Sequence, residues 1–306
     1  MSSVLLFSGQ GAQHVGMGAD LAEKYPVAKA LFDKADEILG FSLSEVMFEG
    51  PIEELTRTSR CQPALYVHGL ACLAVLKEVN PDLEIAATAG LSLGEFTAHA
   101  AAGTFDFETG LNLVHKRGTF MEEACEAAGG SMAAMIGGSE EAVRELAEEC
   151  DVDVANLNAP GQIVLSGSAE GIAKALEGAK DKGIRLCKEL TVAGAYHSRL
   201  MASAQEKLAK ELADVELSEP TVPVISNVTA EAVKTSDEIK NTLESQVTGS
   251  VRWSESMRLL LDQGHEQFLE LGPGKVLAGL MNRIQKGTKA LPVTDVESLD
   301  STLEAL

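Results

Sequence analysis

The sequence predicts an α/β protein: a mostly parallel sheet covered by helices on both faces, with a small α+β unit inserted near its middle. Three observations carry that expectation. Short β-rich segments alternate with helical patterns towards both ends of the chain, the order that builds parallel sheets. Between them, residues 128–194 read β-α-β-β-α-β, the split βαβ arrangement of a ferredoxin-like subdomain. Composition agrees, because 306 residues that are 45% hydrophobic and only 4% aromatic can bury a large core and, being rich in Ala and Gly, suit closely packed layers. The expected organisation is a core from 1–127 and 195–306, with 128–194 as the inserted unit.

Each element has a local reason. "SVLLF" is a short apolar strand that runs into the Gly- and Gln-rich loop "SGQGAQHVGMG". Helical patterns follow over 18–40, 62–79, 93–102 and 106–127, with turn signals such as "EGP" between them. After Gly129-Gly130 comes the strand "SMAAMIGG". In "SEEAVRELAEEC", Ser139 is placed as an N-cap ahead of acids in the first turn. "VDVANLN" and "QIVLSGS" are strands turned by Pro160-Gly161. "AEGIAKALEGAKDKG" is a helix ended by Gly183, and "IRLCKEL" is the last strand before Gly194. Beyond the insertion, "AYHSRLMASAQEKLAKELAD" is a loop entering a helix. "VPVISNVT" and "EQFLELGPG" are strands, and "GKVLAGLMNRIQ" is a C-terminal helix.

Composition also narrows function. A net charge of −21 argues against nucleic acid and anionic membranes as partners, since both need basic surface. No apolar run reaches the roughly 20 residues of a membrane span, and the N-terminus has no basic n-region. The expected location is cytoplasmic, or organellar if a transit peptide has been removed. Cys61, Cys72, Cys125, Cys150 and Cys187 are scattered, without metal-ligand spacing, and read as reduced, mostly buried thiols. No metal and no cofactor are expected.

The pentapeptide "GLSLG" sets Gly90 and Gly94 on either side of Ser92. A bare G-x-S-x-G arises by chance in roughly one chain of this length in ten, so context has to decide. Here an apolar strand pattern precedes it and an alanine-rich helix pattern follows, the strand–turn–helix setting of a nucleophile elbow. A serine hydroxyl needs a base, and six histidines compete for that role. His99 lies too far along the serine's own helix, His68 and His115 sit within helical patterns, and His14 and His265 lack supporting context. His197 stands in an irregular Gly-containing stretch just before a helix, which makes it the preferred base, with the loop residue His14 still open.

Acyl transfer also needs donors for an oxyanion. The amide of Leu93 follows the elbow serine, and Gln10 lies in a Gly-rich loop whose backbone can approach a ligand. That loop lacks the Lys-Ser/Thr of a phosphate-binding P-loop. Arg117, on a helix with core-spaced apolar positions, reads from spacing alone as part of a solvated face.

Eight segments, in order along nearly the whole chain, carry a resemblance. They are "FSGQGAQHVGMG", "AGLSLGEFTAHAAAG", "KRGTFMEEA", "NLNAPGQIVLSG", "GAYHSRLM", "VPVISNVT", "VRWSESM" and "FLELGPGKVLAGLMNRI". Together they resemble the malonyl-CoA:acyl carrier protein transacylases, the acyltransferases that load fatty-acid synthases. The resemblance implies an α/β-hydrolase-like core with the ferredoxin-like insertion. It implies Ser92 as the acyl-accepting nucleophile, His197 as base, and the amides of Gln10 and Leu93 as the oxyanion hole. Arg117 would bind the malonyl carboxylate, reversing the solvated-face reading. The backbone carbonyl of Gln246 would orient the histidine, and Asn158 would line the site.

"GAYH" is similar to the "HAFH" form that goes with malonyl rather than methylmalonyl selectivity. Two positions depart from the family pattern: Leu91 stands where histidine usually precedes the nucleophile, and Ser8 where proline usually precedes the first G-Q-G. The implied partners are malonyl-CoA and acyl carrier protein, acting on a monomer. Arg199, Lys188, Lys275, Arg283 and Lys286 flank the presumed cleft and would meet the acidic carrier. Two rival readings are a hydrolase that uses the same elbow with water, and a carrier-binding module without catalysis.

Overall fold

The protein was analysed as a computed structural model that describes residues 2–306. Strand β1 (Ser3–Phe7) is buried along its whole length and lies at the centre of the larger sheet. Its alternate residues feed two cores, Leu5 and Phe7 on one face and Val4 and Leu6 on the other. A strand covered on both faces is therefore apolar throughout rather than alternating.

Helices α1 (Ala19–Lys24) and α2 (Pro26–Leu39) divide the helical stretch expected over 18–40. Pro26 is the cause: it favours the first helical position, and it pushes Tyr25 into an extended conformation at φ −120° and ψ 112°. Two short helices, α3 (Leu43–Glu49) and α4 (Ile52–Thr56), lead into α5 (Thr58–Val79). This helix begins four residues earlier than the spacing predicts and carries Pro63 inside it. Proline cannot donate to the carbonyl of Ser59, and the ring Nδ1 of His115 donates to that oxygen instead, at 3.4 Å.

Strand β2 (Ile85–Gly90) turns directly into α6 (Leu93–Ala101), and α7 (Phe107–Ala128) follows, its N-terminus capped by Asp106.

The middle of the chain has the expected order: β3 (Ser131–Ile136), α8 (Glu140–Glu149), β4 (Asp153–Ala159), β5 (Gln162–Gly167), α9 (Ala169–Gly178) and β6 (Leu186–Glu189). These strands form a separate antiparallel sheet in the order β4-β5-β3-β6. Ser139 caps α8 as expected. Regular helix α9 stops at Gly178, and i→i+3 turns carry the chain on to Gly183, at φ +73°. The sheet's two faces have different tasks. Ala133, Met135, Ile163 and Leu165 pack under α8 and α9, whereas Met132 and Val164 join the large core. Backbone bonds between β4 and Val251 tie the antiparallel sheet to the chain beyond the insertion.

The remainder holds a 3-10 turn (Arg199–Met201), α10 (Ala202–Ala213), β7 (Val224–Ile225), β8 (Ala232–Val233), α11 (Ser236–Ser245), α12 (Trp253–Asp262) and β9 (Gln267–Leu271). It closes with α13 (Val276–Ile284), β10 (Lys289–Val293) and α14 (Val296–Ala305). The larger sheet has the order β10-β9-β1-β2-β7-β8 and is parallel except for the β7–β8 pair. Thus α13 is not the last element, because β10 and α14 follow it. Pro292 is accommodated because β10 is an edge strand. Among the described residues no helix is long and apolar enough to cross a membrane.

Candidate active site

The turn from β2 to α6 is held by backbone packed on backbone. A Cβ on Gly90 would fall 1.9 Å from the Gly94 carbonyl, and one on Gly94 would fall 2.1 Å from the Phe7 carbonyl oxygen. No side chain fits at either position, so both glycines are required by the close approach of β1, β2 and α6. Ser92 between them sits at φ 54° and ψ −107°, a conformation that costs a non-glycine residue of the order of 1–3 kcal/mol. Its amide donates to Asn227 Oδ1 at 2.7 Å, and Asn227 Nδ2 donates to the Gly90 carbonyl at the same distance. Asn227 thus clamps both sides of the turn. Its role is invisible in the sequence, although the pairing of β7 with β2 places it beside the elbow.

Ser92 Oγ lies 2.8 Å from His197 Nε2. His197 Nδ1 is 2.8 Å from the Gln246 carbonyl and 3.2 Å from that of Gly249. A carbonyl can only accept, so Nδ1 carries the proton and Nε2 is left to accept from the serine. Burial, and then the Arg117 cation, pull the imidazole down to about 4, which keeps it neutral and able to act as a base. The other histidines stay away from Ser92. His68 and His99 are buried, the first beside Cys72 and the second beside Thr104. His115 serves Ser59, His14 is exposed, and His265 lies between α12 and β9.

Arg117 is not on a solvated face. It is only 1% exposed, and its Nη1 donates to Gln62 Oε1 at 2.7 Å. Its Nη2 reaches Gln246 Oε1 at 2.8 Å and Ser92 Oγ at 3.1 Å. All three partners are uncharged, and Nε has none. Core-spaced neighbours made the helix look ordinary; the direction of Arg117 depends on residues 25 to 129 positions away, which spacing cannot reveal. Gln246 gives more than its carbonyl, because its side-chain Nε2 donates to the Ser92 carbonyl at 2.9 Å and to Glu95 Oε2 at 2.5 Å. Glu95, fully buried, also accepts from the Asn227 amide at 3.1 Å.

These groups open into a cleft of about 480 Å³ between the two sheets. Ser92, Leu93, Gln10, Arg117 and His197 line one side, and Met132, Asn156, Asn158 and Val164 the other. Leu93 is the first residue of α6, so its amide has no acceptor within the helix and lies at the positive end of the helix dipole. The half-buried Gln10 approaches Tyr196, whose hydroxyl lies 2.6 Å from Thr58 Oγ1. Asn158 Oδ1 is buried without a partner.

The two positions that depart from the family pattern are accommodated locally. Leu91 lines the cleft as an apolar side chain, and Ser8 fills the space beside Gly272, where a Cβ would fall 2.2 Å from its Oγ. Arg199 is tied to Asp151 and Asp153, so of the five flanking cations it has the least charge to offer a partner. Among the described residues no cluster of three or more His, Cys, Asp or Glu is placed to hold a metal ion.

Comparison with known proteins agrees along the whole chain. The acyl transferase domain family matches residues 4–300. The malonyl CoA-acyl carrier protein transacylase of Bacillus subtilis is 43% identical over 308 residues, covering 98% of this chain and 96% of the relative. The crystal structure of an acyl-carrier-protein S-malonyltransferase from Bartonella henselae superposes with a TM-score of 0.95 at 38% identity, covering 100% and 99% of the two chains. A malonyl-transacylase solved in complex with its type II PKS acyl-carrier protein superposes equally well, at TM-score 0.95 and 36% identity, over 100% of both chains. An elbow serine, a neutral histidine and a buried arginine meet in one cleft of a chain so matched from end to end, and the chain belongs to the acyl transferase family of malonyl CoA-acyl carrier protein transacylases.

Proposed function

We propose that this chain moves the malonyl group from malonyl-CoA to the phosphopantetheine thiol of acyl carrier protein, through a malonyl ester on Ser92, for fatty-acid or polyketide synthesis. The observation that carries the reading is the placement of Ser92 Oγ within 3.1 Å of both a neutral imidazole and a buried guanidinium. The first activates the hydroxyl. The second gives a carboxylate-bearing acyl group a direct counter-ion, a charge-assisted pair that neutral acyl groups cannot make.

In the first half-reaction Ser92 Oγ attacks the thioester carbonyl while its proton passes to His197 Nε2. The Gln246 and Gly249 carbonyls stabilise the imidazolium from the other side. The amides of Leu93 and Gln10 face the developing oxyanion. Collapse expels CoA, whose sulfur takes the proton back from His197. In the second half-reaction the carrier's thiol gives its proton to His197, attacks the Ser92 ester, and leaves as malonyl thioester while Ser92 is reprotonated. Arg117 holds the distal carboxylate throughout, so the acyl group stays oriented between the two thiols.

The larger sheet and its helices serve here as an α/β-hydrolase-like core. Residues 128–194 serve as a ferredoxin-like subdomain that forms the far wall of the cleft, a division supported by their separate sheet and core. Acyl carrier protein docks at the cleft mouth. Exposed Lys188, Lys275, Arg283 and Lys286, from segments next to cleft-lining Leu190, Val276 and Leu280, would meet the carrier, and Val276 is 52% exposed. On a chain of −21 these are local charges, effective within about 8 Å at physiological salt.

Intact-mass spectrometry after mixing with malonyl-CoA tests the reading. A single malonyl increment on Ser92 that is discharged faster by holo-carrier protein than by water is expected. Discharge by water at an unchanged rate in the carrier's presence would make the protein a hydrolase.

A further inference from the structure

Glu95 is the one buried carboxylate joined to this site. Its Oε2 accepts from Gln246 Nε2, and Gln246 Oε1 in turn accepts from Arg117 Nη2. A single amide side chain therefore separates the carboxylate from the guanidinium. None of the groups bonded to Arg117 carries charge, so Glu95 is its counter-charge in the empty site. The other carboxylate oxygen, Oε1, is buried without a partner, and so is the Ser226 hydroxyl beside it. A hydroxyl can turn to donate to the anion or to accept from the acid, so the pocket accommodates both protonation states.

We propose that Glu95 is a specificity-determining positioning residue, which balances Arg117 while the site is empty and takes up a proton when an acyl carboxylate arrives to pair with that arginine. The proposal rests on the reading of Arg117 given above. Two anions beside one buried guanidinium exceed what it can neutralise, so one must be discharged. The malonyl carboxylate is the stronger acid and is paired directly, so Glu95 is the group that protonates. Burial already raises Glu95 to about 7, which makes that proton available near neutral pH.

The surroundings leave few other charges to interfere. β1, β2 and β7 contribute no titratable side chain between them. α7 contributes Arg117 itself; of its other titratable groups His115 bonds to Ser59, Glu122 pairs with Arg57, Cys125 is a buried thiol, and Glu108, Lys116, Glu123 and Glu126 are exposed. On α5, Cys61, Tyr66, His68 and Cys72 are neutral and buried, Arg60 is paired with Glu54, and Lys77 and Glu78 lie at the far end. His99, one turn along α6, is kept neutral by burial, as is His197 mainly by burial and then by Arg117.

The sign follows. Ionised Glu95 competes with the malonyl carboxylate but remains the counter-charge of Arg117 beside an acetyl group, so the preference for malonyl should weaken as pH rises through about 7. The test is competitive acylation of the full-length protein by equimolar malonyl- and acetyl-CoA, with the two adducts counted by intact mass from pH 6 to 8.5. Ionisation of His197 affects both donors alike and cancels in the ratio. In the wild type the malonyl-to-acetyl ratio should fall with pH above 7, by up to tenfold per unit for one linked proton.

Glu95→Gln keeps acceptors for Gln246 and Asn227 but has no charge. Its ratio should be independent of pH and no lower than the wild-type value at pH 6. A wild-type ratio that is flat across the range overturns the proposal without any variant, and so does a Glu95→Gln profile parallel to the wild type. Absence of any malonyl adduct on the wild type would instead sink the functional reading on which the proposal depends.

Discussion

The two walls of the cleft are finished to different degrees. On the wall built from β1, β2 and α6, the groups that hold Ser92 and His197 are bonded to one another before anything binds, with Arg117 Nε and Glu95 Oε1 behind them left without partners. Ser92, His197, Gln246, Asn227 and Arg117 form one connected set of hydrogen bonds, anchored on backbone carbonyls and amides. On the wall built from β3, β4 and β5, apolar Met132 and Val164 stand beside Asn158, whose carbonyl oxygen has no partner. A preorganised wall pays its ordering cost during folding and can hold reacting atoms to a fraction of an ångström. An unfinished wall leaves its hydrogen bonds for a ligand. The difference suggests that changes on the first wall act on the chemistry, and changes on the second act on affinity.

Four substitutions sharpen or break that contrast. The largest effect is expected for Ser92→Ala, which should abolish the acyl adduct while the circular dichroism spectrum stays native; a malonyl increment persisting in this variant would move the nucleophile elsewhere. His197→Ala should slow both half-reactions by at least ~100-fold, read by rapid-quench acylation and deacylation. The wild type supplies a companion measurement with acetyl-CoA. Because the folded-state imidazole is held down to about 4, kcat/KM should keep its base through pH 6.5 and lose it only as pH falls towards 4. A limb at pH 6.5 would mean that His197 is not buried as described.

Arg117→Ala removes a charge-assisted pair worth about 1.5–3 kcal/mol, so kcat/KM for malonyl-CoA should drop roughly 10- to 150-fold. In a competitive mixture the variant should shift towards acetyl, and an unchanged ratio would take Arg117 out of acyl recognition. The smallest effect belongs to the unfinished wall. Asn158→Ala should raise KM for malonyl-CoA by roughly 2- to 12-fold, the worth of one hydrogen bond, and leave kcat nearly unchanged. If kcat fell instead, the two walls would not divide the work in this way.

The same division decides what the sequence can disclose. Elements with a local cause were legible: the β-α-β-β-α-β middle, the Ser139 cap, and the elbow with its two glycines. The helical pattern over 18–40 runs on through Pro26, where the chain divides into two helices. β8 is two residues long, and β10 contains a proline, so neither has a periodicity to detect. α11 and α14 did carry signals, since Thr235 with Glu238 and Asp295 with Ser298 form capping boxes. In the site, motif residues stood out and supporting residues did not. Asn227 and the side chain of Gln246 act on the elbow from 135 and 154 positions away, a relation that only the parallel sheet and its crossovers create. The position of Arg117 in the cleft is indicated by the family's pattern and not by its own helix.

The glycine contacts at the elbow have one more consequence. Phe7, Gly90 and Gly94 meet main chain to main chain, with no side chain between them. The nucleophile is thereby surveyed from the peptide framework itself, and not from the shapes of the residues that fill the core. Substituting a leucine or methionine in the large core shifts side-chain atoms, and helices along with them, but the datum from which Ser92 is measured stays put. Over long divergence such a protein can exchange most of its interior and still return its serine to the same place, whereas a single methyl group at position 90 or 94 would displace it at once.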